Sequence, residues 1–310
     1  MITYGHEQFI QQAIESILKQ QTSFSFELVI ANDCSPDMTD KVVNNIIETY
    51  NNADSIRYYS HSTNKGMYAN FIFALRECRG QYIALCEGDD YWTDPFKLQK
   101  QVDFLEANLD YEVCFTNIAI ANENGVITKN ALITDSRKST YVRNNLPIWA
   151  PTLTRVFRNR SFSTVPAAPG LDTIMLLWQS QFGRIKFINE ITGVYRKHHG
   201  GIYSSKEEGI RKAQIIDTHI TSLSLLESDL YKKYFGMLFK KLTELRGIDQ
   251  LLFNNYKNRI HQAFRIYHSK MTGSLRLKIR ISFFLVALIP SRLNVSLLKF
   301  FNHIFIYKSK

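Results

Sequence analysis

The sequence predicts an α/β protein: a mostly parallel central sheet with flanking helices over residues 1–204, followed by an α-helical extension over 205–310. Three observations carry this. Short apolar runs alternate with amphipathic helical stretches in the first part. Strand character fades after about residue 205, and the excess positive charge is confined to the last 60 residues, 251–310. With 310 residues and 45% apolar content, the chain can bury a sizeable core.

The elements run in order. Phe9, Ile10, Ala13, Ile14, Ile17 and Leu18 fall on one helical face. Residues 26–31, FELVIA, read as a short buried strand broken by Asn32-Asp33-Cys34-Ser35-Pro36. Val42, Val43, Ile46, Ile47 and Tyr50 form a second helical stripe, and residues 56–60, IRYYS, a second strand. Next come a helix over 67–79, a strand over 81–86, a helix over 96–107 and a strand over 112–120. Strands alternating with helices imply parallel pairing through crossover connections. Residues 121–146 are polar and read as loop-rich, and strand character returns at 184–188. Beyond 205, Leu223, Leu226, Leu230, Tyr234, Leu238, Leu242 and Leu245 keep a helical spacing.

Residues 251–310 hold eleven Lys or Arg and no Asp or Glu, which leaves 27 basic and 28 acidic residues in 1–250. The net charge of +10 therefore resides in the last segment. Residues 274–310 mix basic and apolar residues, but the uncharged stretch Ile281–Ser291 is far short of the about 20 residues that span a bilayer. A peripheral contact with an anionic membrane surface fits this pattern, as does a helical cap packed on the first domain. No nucleic-acid-binding module accompanies the charge, so nucleic acid is not the expected partner. Cys34, Cys78, Cys86 and Cys114 lack metal spacing and read as small buried thiols of a reducing compartment. Met1-Ile2-Thr3-Tyr4 runs straight into polar residues, with no secretory leader pattern.

The strongest chemical signal is at residues 86–95, CEGDDYWTDP. An apolar strand stops at Glu87, Asp89 and Asp90. Ligands of parallel α/β sheets bind at the carboxyl ends of strands. Clustered carboxylates raise one another's pKa unless a cation meets them, and hard oxygen ligands suit Mg²⁺ or Mn²⁺ arriving with phosphates. The alternative is a solvated acidic turn, with Thr93 or Asp94 capping the helix behind Pro95.

Five segments in order resemble the family 2 glycosyltransferases of GT-A fold, of the bacterial surface-polysaccharide type. They are Thr3-Tyr4-Gly5-His6-Glu7, Ala31-Asn32-Asp33-Cys34-Ser35, Asn64-Lys65-Gly66, Glu87-Gly88-Asp89, and the stretch 168–204 with Gly170-Leu171-Asp172 and Tyr195-Arg196-Lys197-His198-His199-Gly200-Gly201. The resemblance covers residues 2–204. It implies an inverting transfer of sugar from a nucleoside diphosphate, a UDP-sugar, to a hydroxyl of a glycan or lipid-linked glycan. It places Thr3 and Tyr4 beside the base, with Glu7 of the same turn among the donor-binding residues. Asp33 matches a carboxylate that accepts from a pyrimidine N–H. Asn64, Lys65, Gly66, Glu87 and Asp89 join the donor site; Asp89, with Asp90 and His198, matches the metal site. Asp172 matches the catalytic base. Read alone, Thr3 or Glu7 could cap a helix, Asp33 could open a turn, and Asp172 could be an N-cap.

Departures from the pattern are Glu87 and Asn32, where the family has Asp, and Asn70 and Phe71, where it often has Arg. Only Met1 and Ile2 precede the first turn, where the family has a full apolar strand. The expectation is a misplaced start or a shortened inner strand with a weakened core. The implied setting is cytoplasmic, at the inner face of the membrane. Two other classes remain open at this level. One is a non-catalytic nucleotide- or glycan-binding protein that keeps the fold. The other is a nucleotidyltransferase, which would require a glycine-rich phosphate loop the chain lacks.

Overall fold

The structure is a computed structural model, and it describes residues 1–50, 53–134, 137–200, 206–288, 300 and 305. The elements run β1 (Ile2–Thr3), α1 (Ile10–Leu18), β2 (Leu28–Asn32), α2 (Thr39–Thr49), β3 (Ile56–Ser60), α3 (Met67–Glu77), β4 (Tyr82–Ala84), β5 (Tyr91–Trp92), α4 (Lys97–Ala107), β6 (Tyr111–Asn122), β7 (Ile127–Lys129), β8 (Thr140–Tyr141), β9 (Val156–Arg158), α5 (Leu171–Gln179) and β10 (Arg184–Lys197). Four helices come after them: α6 (Glu208–Ser222), α7 (Tyr231–Arg246), α8 (Gln250–Tyr267) and α9 (Gly273–Leu288). The chain divides into two compact units, Met1–Val165 with Met175–Ser204, and Pro166–Ile174 with Ser205–Lys310.

The first unit carries two sheets. One is wholly parallel, in the order β1-β2-β3. The helical stripes behave as their spacing requires. α1 buries Ile10, Ala13, Ile14, Ile17 and Leu18, and α2 buries Val43 and Ile46. β1 is only two residues long, and the Met1 amino group prolongs its edge by donating to the Val29 carbonyl at 2.7 Å.

The second sheet has the order β4-β9-β6-β10-β5, with β7 on β6 and β8 on β10. Its longest ladder, β6 with β10, is parallel; β9, β5, β7 and β8 join antiparallel. These antiparallel partners come from short segments with no readable period, so the sequence did not announce them. β6 is buried along almost its whole length. Between Ile188 and Gly193, β10 slips register against β6: Ile188 faces Thr116, Ile191 faces Asn117 and Gly193 faces Ile118. Bulges of this kind bend a strand and re-aim the side chains beyond them.

α4 starts behind an N-cap at Phe96 that has no side-chain cap bond, so neither Thr93 nor Asp94 caps α4; the Asp94 carboxylate instead accepts from Phe96 N at 2.9 Å in the turn ahead of it. It carries one costly residue. Lys97 is fully buried, its Nζ lies 4.1 Å from the Trp92 ring centre, and it has no hydrogen-bond partner among the described residues. Burial pushes the ammonium down to about 7. An unfolded lysine titrates near 10.4, so between about pH 7 and about pH 10.4 the unfolded chain binds more protons and stability rises with pH. Lys97→Met is expected to be more stable than the parent by on the order of 2–4 kcal/mol near pH 7, with the gain shrinking as pH rises through that window. Urea unfolding at two pH values measures it; a pH-independent difference would mean that Lys97 does not titrate there.

The second unit is helical where described. α7 buries Tyr231, Tyr234, Phe235, Leu238, Phe239, Leu242 and Leu245. Of the leucine stripe read from the sequence, Tyr234, Leu238, Leu242 and Leu245 lie in α7, whereas Leu223 falls in the 3₁₀ turn Leu223–Leu225 that follows α6, and Leu226 and Leu230 fall between that turn and α7. Asp249 caps α8 by accepting from Leu252 N. Phe305 is buried against Gly236 and Phe239 of α7. No helix among the described residues is long and apolar enough to cross a membrane. The remainder of 289–310, and Gly201 to Ser204 of the fifth motif, lie outside the described residues.

Cys86 and Cys114 are buried as expected, while Cys34 and Cys78 are half-buried. Cys34 holds φ of 60°, a left-handed conformation uncommon for a side-chain-bearing residue, in the turn after β2.

Candidate active site

The carboxylate cluster lies just past β4, in a turn fixed by its own backbone. Leu85 N donates to Arg155 O, Gly88 N to Ile2 O and Asp90 N to Glu87 O. The turn separates the three acids into three environments. Asp90 is buried, and its Oδ1 accepts from Arg196 N at 2.9 Å. Burial, then the charges of Asp89 and Glu87, push its carboxyl well above the ordinary range. Asp90 thus ties the turn to the end of β10. It is not among the grouped ligand atoms, although the sequence reading placed it in the metal set.

Glu87 keeps Oε2 buried with no hydrogen-bond partner among the described residues. Burial, then the charge of Asp89, push it up to about 7. Asp89 goes the other way. Burial opposes its ionisation, but the hydrogen bond from His198 and the nearby His6 outweigh it and hold Asp89 below the usual carboxylate value. Three adjacent acids coexist because one takes the charge and two are driven toward the neutral form.

Asp89 Oδ2 lies 3.1 Å from His198 Nε2 and 3.8 Å from His6 Nε2. The ligand atoms of His6, Asp89 and His198 all fall within 4.8 Å of one another. His6 belongs to the first motif, but a histidine in a loop carries no spacing signal, and only the fold reveals its role. Its Nδ1 is 3.1 Å from Thr3 Oγ1, which fixes the ring and turns Nε2 toward Asp89. Burial, despite the charge of Asp89, lowers the pKa of His6 and favours the neutral imidazole that ligates metals. The His198 ring packs 4.8 Å from that of Phe9. Arg196 is buried beside it, donating through Nε to the Asp89 carbonyl and through an amino group to Gln12.

Gly88 makes this closeness possible. A Cβ there would meet Thr3 Oγ1 at 2.7 Å, His6 Nδ1 at 2.9 Å and Ile10 Cδ1 at 2.9 Å. Any side chain would drive the N-terminal turn off the acidic turn.

The residues expected to hold the donor also converge. The turn Thr3–Glu7 is stitched to the start of α2. Gly5 N donates to Ser35 Oγ, His6 N to Thr39 Oγ1 and Glu7 N to Asp37 Oδ2, and the Glu7 carboxylate accepts from Met38 N. Thr3 is buried and Tyr4 exposed. Asp33 accepts from Lys65 N at 2.7 Å and from Gly66 N at 2.9 Å, so it braces the loop that contains Asn64, Lys65 and Gly66. An ionised carboxylate has about four acceptor positions, so this brace leaves Asp33 room for a further donor. Gly66 adopts φ of 81°, which suits glycine, and Asn64 Oδ1 accepts from its N–H. Lys65 Nζ lies 5.1 Å from the Phe73 ring centre. Asn32, at the family's Asp position, accepts from Ser35 N and Oγ and donates to Tyr58 Oη. Asn70 donates to Ala31 O and pairs with His61, so it serves the loop's packing.

Asp172 is the second residue of α5, inside the first turn rather than at the cap. It belongs to the second compact unit, where the preceding Gly170 N donates to Thr218 Oγ1. His199 is exposed.

Residues 1–164 match the family model described as glycosyl transferase family 2. The chain belongs to that family. An uncharacterized protein of Mycobacterium tuberculosis (strain H37Rv) is 34% identical over 214 residues, which cover 68% of this chain and 61% of that relative. EpsE of Bacillus subtilis, a glycosyltransferase by name, is 35% identical over 123 residues, covering 40% of this chain and 43% of EpsE. The match thus spans less than two thirds of the length of either relative. Among solved structures, S. aureus TarS 1–349 in complex with UDP-GlcNAc superposes with a TM-score of 0.65 at 16% identity, covering 97% of this chain and 89% of TarS 1–349. The mannosyltransferase PcManGT from Pyrobaculum calidifontis, in complex with GDP-Man and Mn²⁺, gives 0.55 at 12% identity, covering 97% and 83%. At such identities these two structures establish the fold, which is GT-A with a helical C-terminal region.

Proposed function

We propose that this chain is an inverting glycosyltransferase. It moves a sugar from a nucleoside-diphosphate donor, a UDP-sugar, to a hydroxyl of a glycan or lipid-linked glycan in surface-polysaccharide synthesis. The observation that carries the reading is the meeting of two imidazoles on the one acid held ionised, Asp89, in a chain of this family. Neighbours of the same fold bind UDP-GlcNAc and GDP-Man, which supports a nucleotide-sugar donor.

The donor set fits a divalent cation: one carboxylate oxygen and two imidazole nitrogens, with His6 oriented by Thr3. Imidazole ligands favour Mn²⁺ over Mg²⁺, which prefers an all-oxygen shell. When bound, the ion supplies Lewis-acid stabilisation of the diphosphate leaving group. The chain's own residues do the rest. The Thr3–Glu7 turn and the loop pinned by Asp33 hold the nucleoside. Asp172 accepts the proton of the acceptor hydroxyl as that oxygen bonds to the anomeric carbon and the bond to diphosphate breaks on the opposite face. The basic second unit contacts the inner leaflet of the cell membrane, where lipid-linked acceptors reside.

The test is incubation with a panel of UDP- and GDP-sugars, with Mn²⁺, Mg²⁺ or EDTA, read by nucleotide release and by mass spectrometry of glycan products. Mn²⁺-dependent release of UDP from one donor is expected. A donor that binds but is neither hydrolysed nor transferred would make the chain a binding protein instead.

A further inference from the structure

We infer that the helical unit holds a pocket between α8 and α9 for the phosphate of an anionic membrane lipid. The inference deepens the membrane contact proposed above and rests on it; it does not depend on the donor or the reaction.

The cavity is about 430 Å³ and is lined by His261, Phe264, Arg265, His268, Arg280 and Phe283. The α8 members recur at the spacing of one helix face. Phe264 and Phe283 line it with ring centres 6.3 Å apart, and the His261 ring centre lies 5.0 Å from that of Phe283. His268 Nδ1 donates to the Arg265 carbonyl at 2.7 Å, which leaves Nε2 as the ring nitrogen not used in that bond. Arg259 of the same helix pairs with Asp217, whereas Arg265 and Arg280 have no carboxylate partner among the described residues. Residues 251–310 contain no Asp or Glu to compete for them. Two guanidinium groups lining one cavity with aromatic rings suit the oxygens of a phosphate, which guanidinium forks bind in pairs.

The surroundings select a lipid as the source. α9 buries Leu275, Ile279, Ser282 and Val286, yet it also exposes Leu277 (59%), Ile281 (42%) and Phe284 (64%) at helical spacing. Ile266, next to Arg265, is 68% exposed. Apolar side chains beside a cationic pocket suit acyl chains beside a headgroup.

Co-sedimentation with phosphatidylcholine vesicles, with and without phosphatidylglycerol, tests this. The full chain is expected to pellet with the anionic vesicles. Arg265→Gln/Arg280→Gln is expected to weaken partition roughly tenfold more than the charge-matched Lys240→Gln/Lys257→Gln, since pocket contacts add to the diffuse attraction both pairs share. Unchanged thermal unfolding of the double-arginine variant verifies that its fold is intact. No pelleting of the parent would overturn both the membrane contact and the pocket. Equal losses in the two variants would keep the contact and overturn the pocket. Tight binding of inorganic pyrophosphate without vesicle binding would reassign the pocket to a soluble anion. None of these outcomes bears on sugar transfer.

Discussion

Asp89→Asn is expected to fold normally and to transfer sugar about 10³–10⁴-fold more slowly, the equivalent of several kcal/mol of lost charge stabilisation. The substitution keeps the shape of the turn, because Arg196 holds that residue through its backbone carbonyl. It removes the one full negative charge that both imidazoles face. Mn²⁺ affinity, measured by electron paramagnetic resonance, should fall in parallel, and His6→Ala should fall less than Asp89→Asn. An Asp89→Asn protein that binds Mn²⁺ like the parent would show that the cation is held elsewhere.

Asp172→Asn is expected to separate binding from chemistry. Loss of a general base costs on the order of 10²–10⁴ in rate. The proposed role of Asp172 is toward the acceptor hydroxyl and not the donor, so its loss should leave donor affinity unchanged. Calorimetric titration with UDP and turnover measured on the same preparation give both quantities. Near-parental turnover would return Asp172 to the other role its place allows, an acid in the first turn of α5 that complements the helix dipole.

The sequence made much of this legible, for reasons that are physical. α1 and α2 could be read because a one-sided apolar stripe has only one way to be buried. β6 could be read because a strand enclosed on both faces is largely apolar, even with Glu112, Thr116 and Asn117 buried in its run. β5 and β9 could not, since two or three residues carry no period. The acidic turn was conspicuous, but the division of labour within it was not. Whether Asp90 meets a cation or Arg196 N is decided by strand β10, more than a hundred residues away. His6 was unreadable for the same reason, because its partner Asp89 is remote in sequence and adjacent only after folding. Asp33 stands out in the sequence as a ligand candidate, and its bonds to Lys65 and Gly66 emerge only with the loop in place.

The slip between β10 and β6 has a mechanical meaning for heritable change. From Ile188 to Gly193 the chain spends five steps where β6, from Thr116 to Ile118, spends two. That surplus of three is odd, so it inverts which side of the ribbon each later side chain occupies. Arg196, whose side chain reaches the acidic turn, lies beyond this slip, and His198 follows just past the end of the strand. Excising a single residue anywhere in that stretch would disarm the site without touching one of its members, so length there should be guarded more strictly than composition.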